Sequence, residues 1–195
     1  MLDVGAGAGL LGEYLRDEFP RAAYCFDEPI ASLQSALEQR HGTERNWTGR
    51  RDWMGVDFVT LLDVLEHQPD DRAFLGTLFE RMPPGARLIL TVPALQSLWS
   101  SWDAQLGHVR RYDRTSLSNV IAQFPFEVRE LTYLFPELLA PAIARRFGRG
   151  PTGREEFPVL PKALNASLTA LGSVSLKLRQ FMPLGTSLLA VVDKP

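Results

Sequence analysis

Apolar positions along this chain follow two rhythms: nearly continuous runs, and stripes that recur every three or four residues. Residues 56–64 (V-D-F-V-T-L-L-D-V) and 86–92 are apolar or β-branched at almost every position, as in strands covered on both faces. A shorter apolar run over 22–26 stops at Asp27-Glu28, and 126–134 and 186–192 read as two more strands. Helical stripes lie between them. Leu11, Leu15 and Phe19 recur at i, i+4 and i+8, and Pro20 closes that helix. Pro29 opens a second helix that runs to about His41, with Gly42 as its stop. Phe74, Leu75, Leu78 and Phe79 give residues 70–82 an inward face, and Pro83-Pro84-Gly85 ends it. Further helices are expected at 115–124, 137–147 and 161–181. Residues 43–53 have no clear period; they leave room for a weak strand, with Arg50, Arg51 and Asp52 in a loop. Strands alternating with helices predict an α/β fold with a largely parallel sheet and helices on both faces. One domain, 1–195, is expected, with 137–181 a helical lid or insertion before the last strand.

Composition narrows the functional classes. A chain of 195 residues, 45% hydrophobic and 23% charged, is an ordinary globular domain with a sizeable core. Its net charge of −2 provides no general attraction to nucleic acid, and no such partner is expected. The charge is uneven. Residues 138–181 hold Arg145, Arg146, Arg149, Arg154, Lys162, Lys177 and Arg179 against Glu155 and Glu156, about +5, which leaves about −7 elsewhere. Leu164, Leu168, Leu171, Val174, Leu178 and Phe181 in that segment keep helical spacing. A lid over a substrate site is the favoured reading, and contact with an anionic membrane surface the rarer one. The single Cys25 excludes an internal disulfide and a multi-thiol metal site. It fits a reducing compartment, and a cytoplasmic protein is expected. The N-terminus lacks the basic flank and apolar run of a signal peptide.

In sheets of this kind ligands bind beyond the carboxyl ends of the strands. The chain opens on Leu2-Asp3-Val4-Gly5-Ala6-Gly7-Ala8-Gly9 and then a helix, the strand–turn–helix arrangement that brings backbone N–H groups to a nucleotide. Gly7-Ala8-Gly9-Leu10-Leu11-Gly12 satisfies G-x-G-x-x-G, with Asp27 about 20 residues on, which suits a nicotinamide-dependent oxidoreductase. Asp3 produces the acid-x-G-x-G-x-G form instead, which points elsewhere. Other strand ends carry Asp63-Val64-Leu65-Glu66-His67, the polar-aromatic loop Trp99-Ser100-Ser101-Trp102-Asp103, and Gly107-His108-Val109-Arg110-Arg111-Tyr112-Asp113-Arg114.

These motifs, with P-P-G-A-R-L-I-L-T-V-P (83–93) and G-T-S-L-L-A-V-V (185–192), resemble the class I S-adenosylmethionine-dependent methyltransferases. Residues 57–114 look like the bacterial group with L-D-V-L-E-H and G-H-x-R-R-Y motifs. The resemblance implies a Rossmann-like three-layer sandwich whose last strand is antiparallel. It implies S-adenosyl-L-methionine as cofactor and a small-molecule, glycan or lipid-linked acceptor, with oxygen as the favoured atom. By the same resemblance Asp3, Gly5, Gly7 and Gly9 would hold the methionine end, Asp27 the ribose, Asp52 or Trp53 the adenine, and Asp63 with Val64 would lie beside the cofactor. The family usually has more of the first strand, and helices, before the glycines. The chain therefore reads as N-terminally short, and a cofactor-binding fragment with weak or no activity is an alternative beside the oxidoreductase.

His67 and His108 are the natural catalytic bases, since a neutral imidazole near pH 7 accepts a proton. Each could instead be structural. Asp63, Glu66, His67 and His108 together resemble the metal site of certain O-methyltransferases acting on ubiquinone precursors and on small-RNA 3′ ends. A divalent ion there is the less favoured reading. Arg110, Arg111 and Tyr112 suit an anionic substrate but equally a solvated basic turn. Trp99 and Trp102 suit stacking on a ring or sugar, or a lid over the cofactor.

Overall fold

A computed structural model describes residues 1–147 and 161–195. Among the described residues are six strands, β1 (Leu2–Val4), β2 (Cys25–Asp27), β3 (Phe58–Leu62), β4 (Arg87–Pro93), β5 (Glu127–Leu134) and β6 (Ser187–Asp193). The helices are α1 (Leu10–Glu18), α2 (Ala31–His41), α3 (Asp71–Arg81), α4 (Ser101–Gln105), α5 (Arg114–Ile121), α6 (Leu139–Phe147) and α7 (Lys162–Lys177). The sheet order is β2-β1-β3-β4-β6-β5. Strands β2, β1, β3 and β4 are mutually parallel, and β6 runs antiparallel to both β4 and β5. Helices flank the sheet, as in the Rossmann-like arrangement expected, and the last strand is the antiparallel one.

The core explains the element choice. Leu2, Val4, Val59, Leu61, Leu88, Leu90, Leu188, Ala190 and Val192 are buried along the strands, against Leu75, Leu78, Leu117 and Trp53. Each large apolar side chain removed from water contributes about 1.5–3 kcal/mol. Tyr24, Phe26 and Leu37 form a smaller cluster under the glycine turn.

Three local differences from the sequence-based expectation have physical causes. Residues 43–53 form no strand; a 3-10 turn, Thr43–Arg45, is followed by a single bridge between Phe26 and Asn46. The polar side chains there bond locally, Asn46 to Glu38 and to the Thr48 N–H, so pairing does not propagate. The run at 22–26 becomes strand only at Cys25–Asp27, because its partner β1 is three residues long and pairs Leu2 with Cys25. Ser100-x-x-Asp103, expected as loop, closes a capping box that starts α4.

No residue of α7 is buried. Its Gly172 packs against Glu137, where an added Cβ would lie 3.1 Å from Oε1, while Leu164, Leu171, Val174, Leu178 and Phe181 stand exposed. Residues 148–160 of the expected lid, with Arg149, Arg154, Glu155 and Glu156, lie outside the described residues. Among the described residues no helix is long and apolar enough to cross a membrane.

Candidate functional site

The carboxyl edge of the sheet collects left-handed backbone. Gly5 follows β1 at φ 71°, Asp63 follows β3 at 54°, Leu95 follows β4 at 63° and Phe135 follows β5 at 58°. Non-glycine residues held there are uncommon and concentrate at functional edges. Asp63 is anchored by its N–H to the Thr91 carbonyl, and its carboxylate accepts from the Thr91 hydroxyl at 3.2 Å.

The glycine turn fits a nucleotide cofactor. Gly5, Gly7 and Gly9 all have positive φ. A Cβ on Gly5 would lie 2.6 Å from Val64 Cγ2, and one on Gly9 would strike Leu37. A Cβ on Gly7 would meet nothing within 4 Å. Gly5 and Gly9 are thus demanded by packing, whereas Gly7 borders open space where a ligand could approach the backbone. Asp3 sits beneath, buried, accepting from Thr60 Oγ1 at 2.7 Å and the Tyr24 hydroxyl at 3.2 Å. Burial raises its carboxyl to about 6, against those two hydrogen bonds.

At the end of β2 the two acids separate. Asp27 turns to Arg81, 3.1 Å away, and burial raises its carboxyl despite that partner. Arg81 also bonds the Arg50 carbonyl and stacks over Trp53, which is wholly buried. Glu28, passed over in the sequence, faces the glycine turn: Oε2 accepts from the Gly7 N–H at 2.8 Å and Oε1 from the Ile30 N–H at 2.9 Å. Two adjacent acids differ by one position, and only the strand's facing decides between them. Asp52 is exposed beside Trp53.

After β3, Glu66, His67 and His108 converge. One ligand atom from each lies within 4.8 Å of the others. Glu66 is fully buried and neither carboxylate oxygen has a hydrogen-bond partner among the described residues. His108 Nε2 stands 3.8 Å and His67 Nε2 4.0 Å from Glu66 Oε1. The two imidazoles meet edge to face at 4.7 Å. Burial drives the Glu66 carboxyl to about 8 and pushes His108 below its ordinary value. Desolvation also raises Asp63, while Thr91 and the two imidazoles pull it back.

Asp103, also missed in the sequence, supports this cluster from behind. It accepts from His108 Nδ1 at 3.0 Å and from Arg111 Nε at 2.7 Å and Nη2 at 3.2 Å. Burial alone would raise it, but the bonds from Arg111, Ser100 and His108 hold it below its ordinary value. Of the four expected substrate residues, Trp99, Arg110, Arg111 and Tyr112, the structure engages the last three internally. Arg111 clamps Asp103 and the Ala94 carbonyl, Arg110 bonds Asp71 and the Pro69 carbonyl, and buried Tyr112 donates to Asp71 at 2.8 Å. Trp99 and Trp102 are half-buried on either side of the α4 cap.

The chain is similar to known proteins in sequence and in fold. The chain is 31% identical over 105 residues to the mitochondrial ubiquinone biosynthesis O-methyltransferase of Schizosaccharomyces pombe, a match covering 47% of this chain and 36% of that protein. The chain thus spans about a third of that relative. Phosphoethanolamine N-methyltransferase 2 of Haemonchus contortus, solved with S-adenosyl-L-methionine, shares the fold at TM-score 0.63 and 16% identity, over 100% of this chain and 48% of that one. A SAM-dependent methyltransferase of Archaeoglobus fulgidus superposes at TM-score 0.59 and 14% identity, over 99% and 85%. The sequence profile of the methyltransferase domain family matches residues 1–131. With its glycine turn, its sheet order and that profile, the chain belongs to the methyltransferase domain family.

Proposed function

We propose that the chain transfers a methyl group from S-adenosyl-L-methionine to an oxygen of a small-molecule acceptor lying over Glu66, His67 and His108. The observation that carries the reading is this cluster, a fully buried acid with both oxygens unpartnered facing two imidazoles at the end of β3. Gly5, Gly7 and Gly9 shape the methionine end around the backbone, with Asp3 beneath. Asp27 or Glu28 would take the ribose, Asp52 or Trp53 the adenine, and Asp63 and Val64 would lie beside the cofactor. The bound sulfonium supplies an already activated methyl.

The protein's share of the work is to align the acceptor oxygen in line, exclude water and take its proton. His108, kept neutral near pH 7 by burial, and His67 are the groups that can accept it. Arg110, Arg111 and Tyr112 hold the 107–114 segment that forms the acceptor wall. The S. pombe relative is by name an O-methyltransferase of ubiquinone biosynthesis, which supports a phenolic oxygen. The exposed seam of α7 supports an acceptor with a lipid tail, presented at a membrane surface.

A second reading is favoured by the same geometry. Glu66, His67 and His108, with Asp63 close by, fit a divalent cation, which would polarise the acceptor hydroxyl.

The test is incubation with trideuteromethyl-labelled cofactor and a panel of catechols, simple phenols and glycans, read by mass spectrometry. A labelled catechol or phenol is expected, and loss of either His base should cost about 10²–10⁴-fold. Label on nitrogen or carbon only, or full activity in both His67→Gln and His108→Gln, would overturn the assignment. Loss of activity in chelator, restored by Mg²⁺ or Mn²⁺, would favour the second reading.

A further inference from the structure

Either use of His108 needs its Nε2 lone pair bare and directed at the cleft. The structure shows what fixes it. Asp103 is 1% exposed, yet its carboxylate receives donors from three directions. Ser100 donates through its N–H at 2.9 Å and its hydroxyl at 3.3 Å, Arg111 donates in fork geometry, and His108 Nδ1 lies 3.0 Å away. A carboxylate accepts only, so the proton on this edge of the imidazole must sit on Nδ1. The backbone repeats the tie, since the His108 N–H donates to the Asp103 carbonyl at 2.9 Å. The next residue's N–H, from Val109, donates to the Glu66 carbonyl at 2.9 Å, which seats the imidazole opposite that acid.

We infer that Asp103, itself clamped by Arg111, is a positioning residue that holds His108 as the Nδ1–H tautomer, so that Nε2 faces Glu66 and His67 across the acceptor site. The inference rests on the proposed function for the importance of His108, but the tautomer is measurable without substrate. It also assigns Arg111: its fork, matched to a carboxylate, is spent on Asp103. Carboxylate partners of this kind orient imidazoles and raise their basicity, whether the other nitrogen meets a proton or a metal.

The test uses long-range nitrogen–proton NMR of the whole chain at pH 7.5 in chelator. The protein has three histidines, so the His108→Gln variant assigns the signal. The wild type should show Nδ1–H over Nε2–H by about tenfold or more, the bias a hydrogen bond to a charged partner confers. In Asp103→Asn that bias should fall by at least about fivefold. Ser100→Ala, which removes one cap bond to the same carboxylate but no contact to the imidazole, should leave it in place. A wild-type spectrum dominated by Nε2–H overturns the inference outright, even where Asp103→Asn fails to fold. So does a folded Asp103→Asn with an unchanged His108 signal. The expected tautomer together with full methyl transfer in His108→Gln would instead leave the positioning intact and remove the function proposed for His108.

Discussion

Glu66→Gln should make this protein more stable at and above neutral pH. Glu66 is fully buried, both oxygens lack partners, and its carboxyl titrates at about 8 in place of the ordinary 4.5. Burial is the first cause, opposed by the pull of its own backbone N–H; the carboxylates of Asp63 and Asp103 also raise it, while Arg111 lowers it. The acid is therefore neutral in the folded chain at pH 7 and ionised in the unfolded one. The unfolded state binds fewer protons throughout the window from 4.5 to 8, so stability falls as pH rises through it. Each pH unit costs about 1.4 kcal/mol, or about 3 kcal/mol by pH 7 and up to about 5 kcal/mol by pH 8. A glutamine has no proton to lose. At pH 5 the variant and the wild type should agree within about 1 kcal/mol, and by pH 7 the variant should lead by about 3 kcal/mol, roughly 6–12 °C in melting temperature for a chain this size. The assay is thermal and urea unfolding from pH 5 to 8.5 in chelator, paired with methyl transfer. Parallel pH profiles for the two proteins would refute the reasoning, because they would mean that Glu66 is ionised and paired in the folded state.

Gly7→Ala and Gly5→Ala should separate binding from folding. Both have positive φ, which costs about 1–2 kcal/mol for alanine. Gly5→Ala adds the overlap with Val64, about 1–3 kcal/mol more, and Val64→Ala should recover part of it. Gly7→Ala should lose cofactor-product affinity by about tenfold or more, beyond its stability cost, and unchanged calorimetric binding would remove Gly7 from the cradle. Leu171→Ser with Val174→Ser, on the exposed seam of α7, should change stability by less than about 0.5 kcal/mol per site. The same pair should abolish flotation with vesicles containing phosphatidylglycerol; a wild type that never floats with them would remove the membrane reading.

The sheet was legible because its strands announce themselves. Residues 56–64 are apolar nearly throughout, and β3 lies within them, but the expectation of cover on both faces holds only for its middle. Val59, Thr60 and Leu61 are buried while Phe58 and Leu62, on one face, stand exposed. The glycine turn was legible for the same local reason, since acid-x-G-x-G-x-G has one geometry. His67 and His108 stand 41 positions apart, yet strand-end logic placed both at one edge, where their rings touch. What the chain concealed were partnerships. Asp103 looked like a loop acid, though Ser100-x-x-Asp103 is a capping-box pattern that could have flagged a helix start. Nothing local marks it as the partner of His108 and Arg111. Arg110, Arg111 and Tyr112 looked available for substrate because their partners, Asp71 and Asp103, become neighbours only through the fold. The weak strand at 43–53 failed because Asn46 and Thr48 offer side-chain hydrogen bonds that compete with a ladder.

The most direct measurement is calorimetric titration of the purified chain with S-adenosylhomocysteine and, separately, with NADH and NADPH. One molecule of S-adenosylhomocysteine per chain should bind, with a dissociation constant on the order of micromolar, weakened in Gly7→Ala, and neither nicotinamide should bind. Binding of NADH or NADPH with none of S-adenosylhomocysteine would contradict the reading of the glycine turn and of the site built on it.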